Sequence, residues 1–76
     1  MKENLEYMRP RPMGKGELAM LYGQGMSGNS ALNRLAMWMR HSPQLMEELQ
    51  ATGYYPTQRL LTVRQVEIIF RHLGQP

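Results

Sequence analysis

The chain contains no cysteine and no aspartate, and its apolar runs end after a few residues. Without cysteine there is no disulfide and no thiolate metal site, and cysteine usage says nothing about the redox compartment. Without a run of ~18 apolar residues no membrane span is expected. Residues Met1 to Leu5, MKENL, have no apolar stretch behind them, so no targeting segment is expected and a soluble, cytoplasmic protein is the default. Histidine is scarce as well: only His41 and His72 are present. A nucleophile–base pair would therefore lack an aspartate to orient it, and no enzyme is expected. Two histidines near helix ends fall short of the four clustered ligands of a structural metal site, so they read as surface residues. Glu47 and Glu48 are neighbours on a helix and point apart, so they are not a catalytic carboxylate pair. The stretch GQGMSG, residues 23–28, follows a helix and lacks the Lys-Ser/Thr of a phosphate loop, which makes it a turn. Neither a cofactor nor a small-molecule substrate is implied.

What remains is a short, basic, methionine-rich chain. At 76 residues it is one domain, near the size at which folding buries only ~60% of the unfolded surface. Nine Lys and Arg stand against six acids, all glutamate, for a net charge of +3. Between Tyr7 and Met46 the basic residues are Arg9, Arg11, Lys15, Arg34 and Arg40, and the only acid is Glu17. That distribution predicts a positive field over this part of the molecule and favours a polyanionic or acidic partner. Of the eight methionines, Met20, Met39 and Met46 are expected in the core as flexible filler, and Met37 is expected outside it.

Proline and glycine divide the chain. Pro10 and Pro12 in RPRP forbid a helix, so residues 1–13 are expected to form an extended arm, tied down by Leu5, Tyr7 and Met8. Residues 14–76 then form a single helical domain. Leu18, Leu21 and Tyr22 predict a first helix over Lys15–Tyr22 that stops at Gly23. Ser27 is a candidate N-cap for a second helix over about 28–41, whose apolar side is Ala31, Leu32, Leu35, Ala36, Trp38 and Met39. Its other side is Asn29, Ser30, Asn33, Arg34, Met37, Arg40 and His41. Ser42-Pro43 ends this helix and starts a third, to about Ala51, with Ser42 as cap and Leu45, Met46 and Leu49 turned inward. Residues 54–61, YYPTQRLL, suit a short edge strand or turn, a small wing. Thr62-x-x-Gln65 is a capping box that opens a last helix with Val63, Val66, Ile69, Phe70 and Leu73 on one face. Ile68 falls off that face, free to touch the arm or a second chain. Arg64, Glu67 and Arg71 are spaced to pair along the helix. The fold class expected is all-α, a small four-helix, helix-turn-helix-like domain with a minimal β wing. Trp38 is expected to be buried with Leu35, Val66, Ile69 and Phe70.

The polar side of the second helix carries the chemistry. Asparagine, arginine and serine read base edges in a major groove, and Asn29, Ser30, Asn33 and Arg34 occupy the N-terminal half that a recognition helix presents. Met37 stands in the middle of this side, where a purely solvated helix has no reason to place it.

Two resemblances follow from this order of elements. Glu17-Leu18-Ala19, a turn, the second helix, Gly53-Tyr54-Tyr55 and the closing Leu61-Thr62-Val63-Arg64-Gln65-Val66 resemble the winged helix-turn-helix of MerR-type regulators and phage excisionases. GKGELAMLY, the Trp38 region, SPQL, the GYYP segment and the final HLGQP look like a family of short bacterial proteins known as a domain of unknown function. The first resemblance implies that Asn29, Ser30, Asn33 and Arg34 face bases and that Lys15, Arg40 and Arg59 meet phosphates of double-stranded DNA. Two features depart from that pattern: the turn from Gly23 to Ser27 is long, and an extra helix precedes the wing. The rival expectation is a protein-interaction module that docks an acidic partner on the same helix through Trp38, Met37 and a basic rim. Met37, Tyr54 and Tyr55 are then the contact candidates.

Overall fold

The computed structural model describes residues 9–76, and the anchoring expected of Leu5, Tyr7 and Met8 lies outside the described residues. The elements run β1 (Met13–Gly14), α1 (Lys15–Tyr22), α2 (Gly28–Arg40), α3 (Pro43–Ala51), β2 (Leu60–Leu61) and α4 (Val63–Leu73). All four helices begin and end within a residue or two of the positions their breakers predict.

Local chemistry explains the boundaries. Ser27 accepts the Ser30 N–H at 3.2 Å and starts α2. The capping box of α4 is complete: Thr62 Oγ1 accepts from Gln65 N, and Gln65 Oε1 accepts from Thr62 N. Pro43 occupies the first turn of α3, where its missing N–H costs nothing, but the Ser42 side chain makes no cap bond. The turn between α1 and α2 depends on two glycines. Gly25 has φ +87°, which side-chain-bearing residues rarely adopt, and Gly23 packs so closely that a Cβ there would lie 3.0 Å from Ala31 Cβ.

The sheet differs from the expected wing. Of residues 54–61 only Leu60–Leu61 is extended, and its partner is Met13–Gly14, antiparallel, in the register Met13↔Leu61 and Gly14↔Leu60. A hairpin wing needs a second strand directly after the first, and here Thr62 opens a helix instead. The end of the arm takes the partner's place. Met13 is thereby buried, and Lys15 N donates to Arg59 O at 2.7 Å to continue the ladder.

One core joins β1, Leu18 and Ala19 of α1, Ala31, Leu35 and Met39 of α2, Leu45 and Leu49 of α3, Leu61, and Val66, Ile68, Ile69 and Phe70 of α4. Several placements correct the sequence reading. Ile68 is buried and Val63 is exposed, because α4 is covered on more than one side while Val63 sits in its first turn at the edge of the packing. Met20 is exposed and Met46 only half-buried, whereas Met39 is in the core. Trp38 is half-buried on the rim, where its ring meets Tyr22 edge-on at 5.8 Å between centroids. Arg71 reaches across to Glu48 of α3 at 3.2 Å, and His72 joins the same carboxylate at 2.8 Å, so His72 is part of an interhelix tie. No helix among the described residues is long and apolar enough to cross a membrane.

Candidate functional site

The burial of Ala31, Leu35 and Met39 fixes the roll of α2 and turns Asn29, Ser30, Asn33, Met37 and Arg40 outward. Neither the long turn nor α3 covers this stripe. Asn33 and Met37 lie one helical turn apart along its middle, and Met37 is 43% exposed. At the N-terminal end the Ser30 hydroxyl is engaged, receiving a bond of 3.1 Å from Ser27.

Cations stand on both flanks of the stripe. On one flank is Arg34, whose guanidinium lies 4.5 Å from the Trp38 ring centroid and donates to Met26 Sδ at 3.5 Å. The stacking holds it over Trp38, to the side of the stripe. On the other flank a groove of about 530 Å³ separates α2 from the start of α1 and the segment before β2. Its lining includes Asn33, Lys15 and Arg59 together with Thr57 and Gln58, two polar residues that the sequence reading left unassigned. Lys15 is partly committed to the fold: Nζ donates to Pro56 O at 2.8 Å and lies 5.0 Å from the Tyr54 ring centroid. Arg59 and Arg40 are exposed.

The two tyrosines separate. Tyr54 is 8% exposed and packs beneath the Lys15 ammonium, while Tyr55 is 56% exposed. Arg40 rims a smaller apolar hollow of about 240 Å³ formed by Ala36, Met39, Met46, Tyr54 and Pro56.

The segment between α3 and α4 is held by Gln65, which is 2% exposed. Gln65 Nε2 donates to Thr52 Oγ1 at 2.9 Å, and Gln65 Oε1 accepts from Gln58 Nε2 at 2.7 Å besides its capping bond. This network fixes the loop that presents Arg59. Its sequence signal was present in the capping box, but the reach to Thr52 and Gln58 depends on tertiary packing.

Charge is segregated around the site. Neither residues 18–46 nor residues 49–66 contain an acid, so α2 and the segment carrying Arg59 are free of negative charge. Glu17, the acid of α1, is paired with Arg11 at 2.9 Å. Glu48 lies on α3 against α4, where the hydrogen bond from His72, with help from Arg71, holds its carboxyl below the ordinary range. Tyr22 lies beyond the Trp38 flank. Its hydroxyl donates to Gly74 O, and burial pushes its pKa up to about 12. Among the described residues no group of three or more His, Cys, Asp or Glu is placed to hold a metal ion.

A family model described as a domain of unknown function (DUF4248) matches residues 9–76, nearly the whole chain. The chain belongs to that family. No curated protein and no solved structure matches it.

Proposed function

We propose that this DUF4248 protein binds double-stranded DNA and lays α2 in the major groove. The observation that carries this reading is the flanked stripe: amide and thioether side chains along the helix centre, Arg34 on one side, Lys15 and Arg59 on the other, and no acid on α2 or in residues 49–66. A major groove is about 12 Å wide and walled by two phosphate backbones, so a helix inserted in it needs neutral or polar groups at its centre and cations on both flanks. A helix of 13 residues is roughly 20 Å long, enough to follow the groove over several base pairs. In this arrangement Asn29, Asn33 and Met37 face base edges, Arg34, Arg40 and Arg59 meet phosphates, and Lys15 adds charge from its fixed position. The order α1, turn, α2 supports a helix-turn-helix, although the strand pair is not built like a hairpin wing.

Titration of a duplex at increasing salt tests this. Log affinity should fall linearly with log salt, and Arg40→Ala and Arg59→Ala should each flatten the slope by about one unit. No binding at low salt, about 50 mM, and micromolar protein overturns the proposal.

A second reading is favoured by one observation. The hollow of Ala36, Met39, Met46, Tyr54 and Pro56 is apolar and rimmed by Arg40 and Lys15, which suits an acidic protein segment with an apolar anchor. In that case Arg40→Ala abolishes capture of the partner, and nuclease treatment of the lysate leaves capture intact.

A further inference from the structure

We propose that the centre of α2 selects adenine–thymine pairs, with the Asn33 carboxamide on the adenine edge and the Met37 side chain against the thymine methyl. This rests on the duplex-binding reading above and specifies what that site recognises.

The chemistry of the stripe narrows the base pairs it can read. Guanine is read best by a guanidinium or ammonium that reaches O6 and N7, and cytosine by a carboxylate that accepts from N4. The stripe offers no carboxylate, since α2 has no acid. Its nearest guanidinium, Arg34, is held over Trp38 and bonded to Met26, off the line of Asn33 and Met37. Arg40 lies at the last residue of α2, beyond the middle of the helix. An amide and an exposed thioether remain at the centre. An asparagine can pair with N6 and N7 of adenine, and an apolar side chain can cover the C5 methyl that only thymine presents in the major groove. Met37 is 43% exposed on a face otherwise built of polar groups, and contact with a methyl would remove that apolar surface from water. Asn33 and Met37, one turn apart on the same side, are spaced to touch neighbouring base pairs.

The experiment uses a duplex pool enriched by the wild-type protein from a randomised library, then amplified once with thymine and once with uracil. Uracil keeps the pairing and O4 and loses only the C5 methyl. Wild type should bind the uracil pool more weakly, by about fourfold per methyl contacted. Met37→Ala should bind both pools alike, and Met37→Leu should restore the difference. With 7-deazaadenine, which lacks the N7 acceptor, wild type should weaken and Asn33→Ala should not. Equal wild-type affinity for the thymine and uracil pools, or an enriched motif of guanine–cytosine pairs alone, overturns this inference and leaves duplex binding standing. No binding to any duplex removes the duplex reading and this inference together.

Discussion

Trp38 is held at the rim of the core between an aromatic neighbour, Tyr22, and a cation, Arg34. Its periodicity on α2 groups it with Leu35 and Met39, yet it lies at the edge of the buried arc, against Tyr22 on one side and Arg34 on the other. Its stabilising contacts are therefore an edge-on aromatic pair, about 0.5–1.5 kcal/mol, and a cation–π contact, about 0.5–1 kcal/mol. Trp38→Ala should cost about 1–2.5 kcal/mol through these two contacts, in addition to the area that the half-buried ring removes from water. Leu35→Ala, which opens a cavity in the core, should cost about 2–5 kcal/mol. Thermal or denaturant melts of the two variants check the order. A Trp38→Ala protein less stable than Leu35→Ala would place the indole in the core after all. Arg34, stacked on the same ring, makes the same point: a helical wheel shows direction but not which neighbour captures a long side chain.

At the scale of elements, what the sequence disclosed and what it did not divide along a physical line. Helix boundaries depend on groups within a few residues, such as Pro43, Gly23, Ser27 and the Thr62–Gln65 box, and these were legible. The strand pair was not, because Met13–Gly14 and Leu60–Leu61 are two residues each, too short for any alternation to show, and far apart in the chain. The face of α4 was half legible: Val66, Ile69 and Phe70 follow from the helical period, but the burial of Ile68 requires knowing that α4 has neighbours on more than one side. Within the site, the outward stripe of α2 could be read from its own spacing, whereas the flanking groove depends on how the segment before β2 folds back. That segment depends on Gln65. Gln65→Ala deletes the acceptor of Thr62 N and Gln58 Nε2 and the donor to Thr52, three partly buried bonds worth about 0.5–1.5 kcal/mol each. Thr62→Ala removes only one cap bond and should cost about 1 kcal/mol. The ratio of the two losses, measured by urea melts, distinguishes a network from a simple cap. Equal losses would leave Gln65 with a capping role alone.

For the whole molecule, the ties that bind α3 to α4 and α1 to the C-terminal end make stability depend on pH at both extremes. The Glu48 carboxyl titrates lower in the folded state than in the unfolded chain because His72 and Arg71 hold its charged form. Its contribution is complete above the unfolded value and is lost as pH falls through the lowered folded one. Tyr22 behaves in the opposite sense: its folded pKa, about 12, exceeds the ordinary 10.0, so the fold keeps its full advantage below pH 10 and loses it above. Melting temperature followed from acid to alkaline pH should show both declines. Glu48→Gln should flatten the acid limb and Tyr22→Phe the alkaline limb, and a limb that does not respond to its own substitution assigns that loss to other groups.

The pairing of Met13–Gly14 with Leu60–Leu61 also orders events in time. During synthesis β1 leaves the ribosome before β2 and waits for it while α1, α2 and α3 are made. Helices close through local contacts and form quickly, whereas a ladder between distant segments must first overcome the entropy of closing the loop between them. The nascent chain therefore carries an open backbone edge until Leu60–Leu61 has emerged, the condition under which neighbouring chains on a polysome can pair by mistake. A strand of only two residues, one of them glycine, presents too little of that edge for another chain to hold.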